Sequence, residues 1–224
     1  MKAWIFALMA CTVALSACTR VQTEYWPNGN VKSKVTLSGK RYDGPSTYYY
    51  EDGTLQMECN YRENQLEGRM TRFYSSGMKK EEVYYRHNKA DSVYKFYDIA
   101  GKLLVQAYYT DSLLNGPFYE FYPNGVMKTD GRYSSGLYDG KWLWYDEDGM
   151  IVGTADFNQG SGIQRSFGPK GKVMQVIRFK NNLKEGQEEY YDAEGNLTET
   201  RQYRGGELVE IKNVKKNQYK LFYS

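Results

Sequence analysis

The chain has 224 residues, with 30 Lys and Arg against 27 Asp and Glu for a net charge of +3, too even a balance for a nucleic-acid footprint. Its 23 Tyr and 22 Gly, about a fifth of the chain, argue against a helix-rich fold, because both are indifferent or poor helix residues. An aromatic content of 16% is too apolar for a disordered chain and five Pro exclude collagen, which leaves strands and turns.

The chain opens on Met1-Lys2 and an uncharged, mostly apolar run from Ala3 to Leu15. One positive charge before such a run is the pattern of a secretory signal, too short to span a bilayer. The run ends Leu15-Ser16-Ala17-Cys18, which resembles the lipobox of bacterial lipoproteins. That resemblance implies cleavage before Cys18, then acylation of its thiol and new amino group, palmitate included. Several acyl chains make a stable anchor. Thr19, where an Asp would retain the protein elsewhere, implies an outer-membrane site facing the periplasm. On this reading 1–17 is a signal peptide, 18–24 a short lipidated tether, 25–210 the repeats, and 211–224 a C-terminal cap or tail. Six residues separate Cys18 from Tyr25, and they reach ~22 Å at most. Cys11 leaves with the signal, and Cys59 is left with no disulfide partner.

A repeat fills the rest. One column of glycines runs Gly29, Gly53, Gly77, Gly101, Gly125, Gly149, Gly171 and Gly195, in steps of 24 with one step of 22. A second runs Gly44, Gly68, Ser92, Gly116, Gly140, Gly162 and Gly186. Aromatic columns keep the same register, from Tyr25 to Tyr191 and from Tyr61 to Tyr203. The short step predicts a two-residue deletion in the loop between Phe157 and Gly162, with intact strands. After each first-column Gly the residues alternate apolar and polar, as in Val31, Val35 and Leu37 against Lys32, Lys34 and Thr36. Such alternation is that of a half-buried antiparallel strand. Asn28-Gly29, Asp52-Gly53, Asn124-Gly125 and Asp148-Gly149 between the runs are hairpin signals. The predicted fold is all-β, an elongated single-layer antiparallel meander of about eight hairpins of ~24 residues, some sixteen strands in all.

Tyr122-Pro123-Asn124-Gly125-Val126-Met127-Lys128, followed by Tyr133 and Asp139-Gly140-Lys141-Trp142, resembles a MORN-type repeat. The bacterial subtype often catalogued as an antitoxin component is the nearest form. This resemblance covers roughly residues 25–210 and implies a scaffold that binds partners or sits beside membranes, with no common active site. A lipobox argues against the antitoxin role, since a cytoplasmic toxin would be out of reach. Gly140-Lys141-Trp142-Leu143-Trp144-Tyr145 is also similar to Gram-positive cell-wall-binding repeats, but Trp26, Trp142 and Trp144 form no regular cradle.

Catalytic chemistry finds little support. His87 stands alone in a loop, Cys59 falls in a column of small core residues, and Glu51, Asp52, Glu147 and Asp148 occupy turn positions. Glu81-Glu82 and Glu188-Glu189 are strand neighbours that point to opposite faces. Lys212, Lys215, Lys216 and Lys220 make a basic tail, either solvated or turned to acidic lipid. Aromatics in the regular columns read as cross-strand packing. Those outside them, Tyr48, Tyr50, Phe96, Tyr119, Trp142, Trp144 and Tyr190, are the candidate partner-binding residues, because the repeat does not account for them. The expectation is a non-catalytic module, without metal, cofactor or nucleic acid. It would be anchored through Cys18 and bind another envelope protein, with cell-wall glycan binding or an immunity role as alternatives.

Overall fold

Two kinds of turn set the architecture of the computed structural model, which describes residues 19–214. The first kind closes on the first glycine column. Gly29 N–H donates to the Trp26 carbonyl at 2.9 Å, Trp26 N–H donates to the Asn30 carbonyl at 2.8 Å, and Gly29 sits at φ +88°. Pro27 and Asn28 stay outside the left-handed region, so the loop is a three-residue type I turn closed by a glycine bulge. The same pair of bonds recurs in every unit down to Gly195. At the opposite end of the sheet are two-residue turns with both residues at positive φ, from Glu63-Asn64 and His87-Asn88 to Gly205-Gly206. These are type I′ turns, whose twist matches that of the strands they join.

Between the turns every strand pairs with its neighbours in sequence, always antiparallel. Thr19–Tyr25 pairs with Val31–Ser38, that strand with Arg41–Tyr49, and so on to the last pair, Leu197–Arg204 with Glu207–Asn213. The result is one open sheet of twenty strands. Three are two-residue pieces, such as Gln65–Leu66, cut by a bulge from the strand that follows. Residues 19–24, expected as a tether, form the first strand instead, because Thr19 to Glu24 find partners from Ser38 back to Ser33. Cys18 lies outside the described residues. So do Lys215, Lys216 and Lys220, while the last strand runs into the expected tail as far as Asn213.

The second column marks a bulge beside the two-residue turn at every position but Gly162. Tyr133 pairs with Tyr138 but Asp130 with Leu143, so two extra residues, Asp139 and Gly140, are absorbed in one strand. Gly140 takes φ +67° there, Gly116 takes +124°, and Ser92 is forced to +100°. The two-residue deletion falls on this feature. From Asn158–Ser161 to Gly153–Ser166 the pairing runs without a shift, and the Gln159-Gly160 turn is complete. The loop is therefore intact and the bulge is what was lost, a correction to the expected shortened loop. Both events leave the glycine columns equally displaced.

Neighbouring units are clipped together at both ends. Asn64 N–H donates to the Tyr42 carbonyl at 2.8 Å while its Oδ1 accepts Tyr42 N–H at 2.8 Å, and Asn88 does the same to Leu66. At the other end the hydroxyls of Tyr50, Tyr74 and Tyr122 donate to the carbonyls of Phe73, Tyr97 and Tyr145 at 2.8–2.9 Å. Tyr50 is thus a structural clip, accounted for by the repeat after all. The core is one face of this single layer. Val35, Cys59, Val83, Ala107, Ala155 and Ile177, the column six residues past each glycine, are all buried there.

Candidate functional site

On the apolar face two rows of side chains run across the strands. The inner one is the buried column with its partners, such as Ser46 opposite Cys59, Met70 opposite Val83 and Trp142 opposite Ala155. One step nearer the three-residue turns lies a second row of half-buried residues. In it Tyr48 faces Met57, Phe96 faces Val105, Trp144 faces Gly153 and Tyr190 faces Glu199. Between these stations the hairpins place polar pairs: Arg72 opposite Glu81, Glu120 opposite Thr129, Ser166 opposite Gln175.

The second row therefore alternates, an aromatic hairpin then a polar one. Its period is 48 residues, shortened to 46 across the deletion between Trp144 and Tyr190. Two hairpins span four strand spacings, so neighbouring aromatic stations lie about 19 Å apart along the sheet. The polar stations are held by their own partners. Arg72 Nη1 meets Glu81 Oε1 at 2.8 Å, and Glu120 accepts from Lys128 Nζ at 2.7 Å and from Thr129 Oγ1 at 3.1 Å. Burial pushes the Tyr48 hydroxyl above its ordinary 10 and raises Tyr94, in the inner row, to about 12. These phenols are neutral platforms at physiological pH.

The seven off-column aromatics separate by position. Tyr48, Phe96, Trp144 and Tyr190 share the second row. Tyr119 does not, because it pairs with Gln106 and Asp130 on the opposite face. Trp142 is not a surface residue either: it is 3% exposed, and its indole N–H donates to the Arg132 carbonyl at 3.1 Å. Its ring is surrounded by Phe118, Tyr133, Tyr138 and Trp144 at centroid distances of 4.9–5.9 Å. The ring lies flat over Gly131, where a Cβ would collide with it. Expected as a binding residue, Trp142 is the centre of the core.

At the C-terminal end the same face turns polar. Glu188, 1% exposed, occupies the buried row opposite Arg201. It accepts from Lys184 Nζ at 3.0 and 3.1 Å, from Gln175 Nε2 at 2.6 Å and from the Tyr190 hydroxyl at 3.1 Å. Burial alone would raise its carboxyl, but Lys184 and the Tyr190 hydroxyl outweigh it and hold the pKa below the usual 4.5. Arg201 binds Glu199 at 2.6 Å and lies 4.7 Å over the Tyr190 ring. Glu189, on the other face, pairs with Arg178 at 3.1 Å, so the two adjacent carboxylates share no partner. Sequence reasoning missed this network. The signal available was Arg201, standing where the column otherwise has Val, Cys, Ala, Gly or Ile.

Two of the groups weighed for catalysis, Cys59 and Asp52, are engaged in structure. Cys59 packs on Met70 and Val83 and burial pushes its thiol up. Asp52 Oδ1 accepts Thr54 N–H at 2.8 Å within its turn, and His87 occupies a type I′ turn at φ +50°. Among the described residues no three His, Cys, Asp or Glu come together as a metal-binding group.

The MORN repeat variant matches the chain six times, over residues 21–37, 42–63, 66–87, 114–134, 138–159 and 184–204, more than half its length. The chain belongs to the MORN repeat variant family. No curated protein matches it. The two long gaps between MORN matches, 88–113 and 160–183, hold the two departures described above, Ser92 and the hairpin without a bulge. MORN repeats are non-enzymatic modules that bind proteins or membranes. In this MORN sheet the 24-residue pattern sets turns and pairing, and the second row carries aromatics at alternate units.

Proposed function

We propose that the protein is a lipoprotein of the bacterial cell envelope, lipidated on Cys18. It faces the periplasm from the outer membrane and acts as a non-catalytic scaffold that docks another envelope protein along the row Tyr48, Phe96, Trp144 and Tyr190. The observation that carries this reading is the alternation itself. Backbone pairing repeats every 24 residues, so nothing in the hairpin demands an aromatic at every second unit of this row. Half-buried rings give a partner large contact area at little entropic cost, and the polar stations between them fix its register. The lipobox ending at Cys18 supports the anchor, and the first strand beginning at Thr19 would hold the sheet edge against the membrane. A glycan cradle built on Trp142 and Trp144 together is disfavoured, because Trp142 is enclosed.

Two experiments test the two halves. Cys18→Ala should abolish palmitate labelling and release the protein from the membrane fraction; unchanged fractionation contradicts the anchor. Phe96→Ala with Trp144→Ala should remove the partner recovered from crosslinked envelopes and leave the sheet's circular dichroism unchanged. Undiminished recovery contradicts the docking row.

A further inference from the structure

The sheet is open, and its last strand, Glu207–Asn213, is exposed at every residue. On its far side no strand pairs with it among the described residues, so a row of backbone donors and acceptors is left free. Leu208, Val209, Ile211 and Val214 are each 45–53% exposed on or beside this edge. Sheet proteins guard such an edge with charge, bulges or a partner. The opposite edge, Thr19–Tyr25, exposes only Val21 and Tyr25 among its large apolar residues.

We propose that Glu207–Asn213 is a dimer interface for a second copy of this chain, paired antiparallel about a two-fold axis midway between the two copies of Ile211. Eight turns at each end of the sheet make sixteen reversals, so the two edge strands run in the same direction. Head-to-tail growth with apolar faces aligned would thus pair strands in parallel, breaking the sheet's pattern. A two-fold axis normal to the sheet pairs the last strand with itself, antiparallel, and keeps both apolar faces on one side. Register then follows from charge. Residues opposed across an antiparallel pair share a face, so the two-fold axis runs midway between two copies of one residue. Because a bulge at Val209 confines regular pairing to 210–213, a centre among 210–212 leaves three choices. Centring on Glu210 opposes two carboxylates, and centring on Lys212 opposes two ammonium groups. Centring on Ile211 sets Glu210 against the other copy's Lys212, twice. The two side chains already pair within one strand at 3.0 Å, both more than half exposed, so they exchange one partner for another.

The dimer stands independently of the docking row and is tested on the full chain in detergent by analytical ultracentrifugation. Wild type should sediment as a concentration-dependent dimer. Glu210→Lys and Lys212→Glu, each alone, should weaken it about tenfold, from two lost attractions replaced by repulsions. Mixing the two variants in equal amounts should restore the dimer, because every opposed pair is again of opposite sign; a folding defect in either would not be rescued this way. Ile211→Cys should form an intermolecular disulfide and Lys212→Cys should not. A monomeric wild type, a mixture no tighter than its components, or a dimer that appears only after residues 215–224 are removed would overturn the proposal. The last result would identify those residues as the edge's occupant.

Discussion

The hairpins around Trp142 and those around Glu188 use the same two rows of the same face, and fill them with opposite chemistry. Around Trp142 the space is taken by rings, with Gly131 and Gly153 beneath the two indoles. Around Glu188 the same positions hold a carboxylate, two cations and two tyrosines, linked in turn: Lys184 to Glu188 and over the Tyr203 ring, Glu188 to the Tyr190 hydroxyl, and Arg201 over the Tyr190 ring. The backbone register is identical in kind in both places. Repetition therefore fixes the turns, the bulges and the clips between units, and leaves the filling of the face to vary.

The sharpest way to break the first region is Trp142→Ala. It removes a buried ring and leaves Gly131 uncovered, and should cost about 3–5 kcal/mol in thermal or denaturant unfolding. Gly131→Ala attacks the same contact from below, because the added methyl enters the space of the indole, and should cost about 1–3 kcal/mol by the same measurement. In the second region Glu188→Gln removes a charge-assisted set of hydrogen bonds and should cost about 1.5–3 kcal/mol at pH 7.

The same contrast appears on a pH axis. Glu188 has its pKa lowered by folding, so its contribution is present above 4.5 and is lost as the pH falls through its lower folded value. The buried phenols behave in the opposite sense. Burial raises Tyr94 to about 12 and Tyr133 higher still, so their contribution is present below pH 10 and is lost as the pH climbs above it. Melting temperatures measured across pH should show an acid limb that Glu188→Gln flattens, while the alkaline loss owed to Tyr94 and Tyr133 remains.

Smaller effects test the backbone that both regions share. Ser92 occupies at φ +100° the position where the repeat otherwise has Gly at positive φ or, at Gly162, no bulge. Ser92→Gly should therefore stabilise the protein by about 1 kcal/mol in urea unfolding. Ser46 is 1% exposed and its hydroxyl has no hydrogen-bond partner among the described residues, so Ser46→Ala should be neutral or stabilising by about 1 kcal/mol or less.

Much of this was legible in the sequence. Gly29 and Gly125 announced the turns, and the column from Val35 to Ile177 announced the buried face, because both depend only on spacing along one strand. Features that depend on register between strands were not. Trp142 is buried because Gly131 lies beneath it across a bulge that shifts the pairing. The lost bulge before Gly162 and a shortened loop leave the same spacing of glycines. Tyr48, Phe96, Trp144 and Tyr190 looked irregular against a 24-residue ruler. The pairing shows that they lie in one row, and a comparison of alternate units finds their step of 48 residues, 46 across the lost bulge.

The most direct test of that row is photocrosslinking in intact envelopes. A photoreactive phenylalanine would replace, one at a time, Tyr48, Phe96, Trp144 and Tyr190, with Tyr119 on the opposite face as the reference. The account predicts adducts to one and the same partner from at least two of the four stations and none from Tyr119. Adducts from Tyr119 with none from the row would place the binding surface on the other face and contradict it.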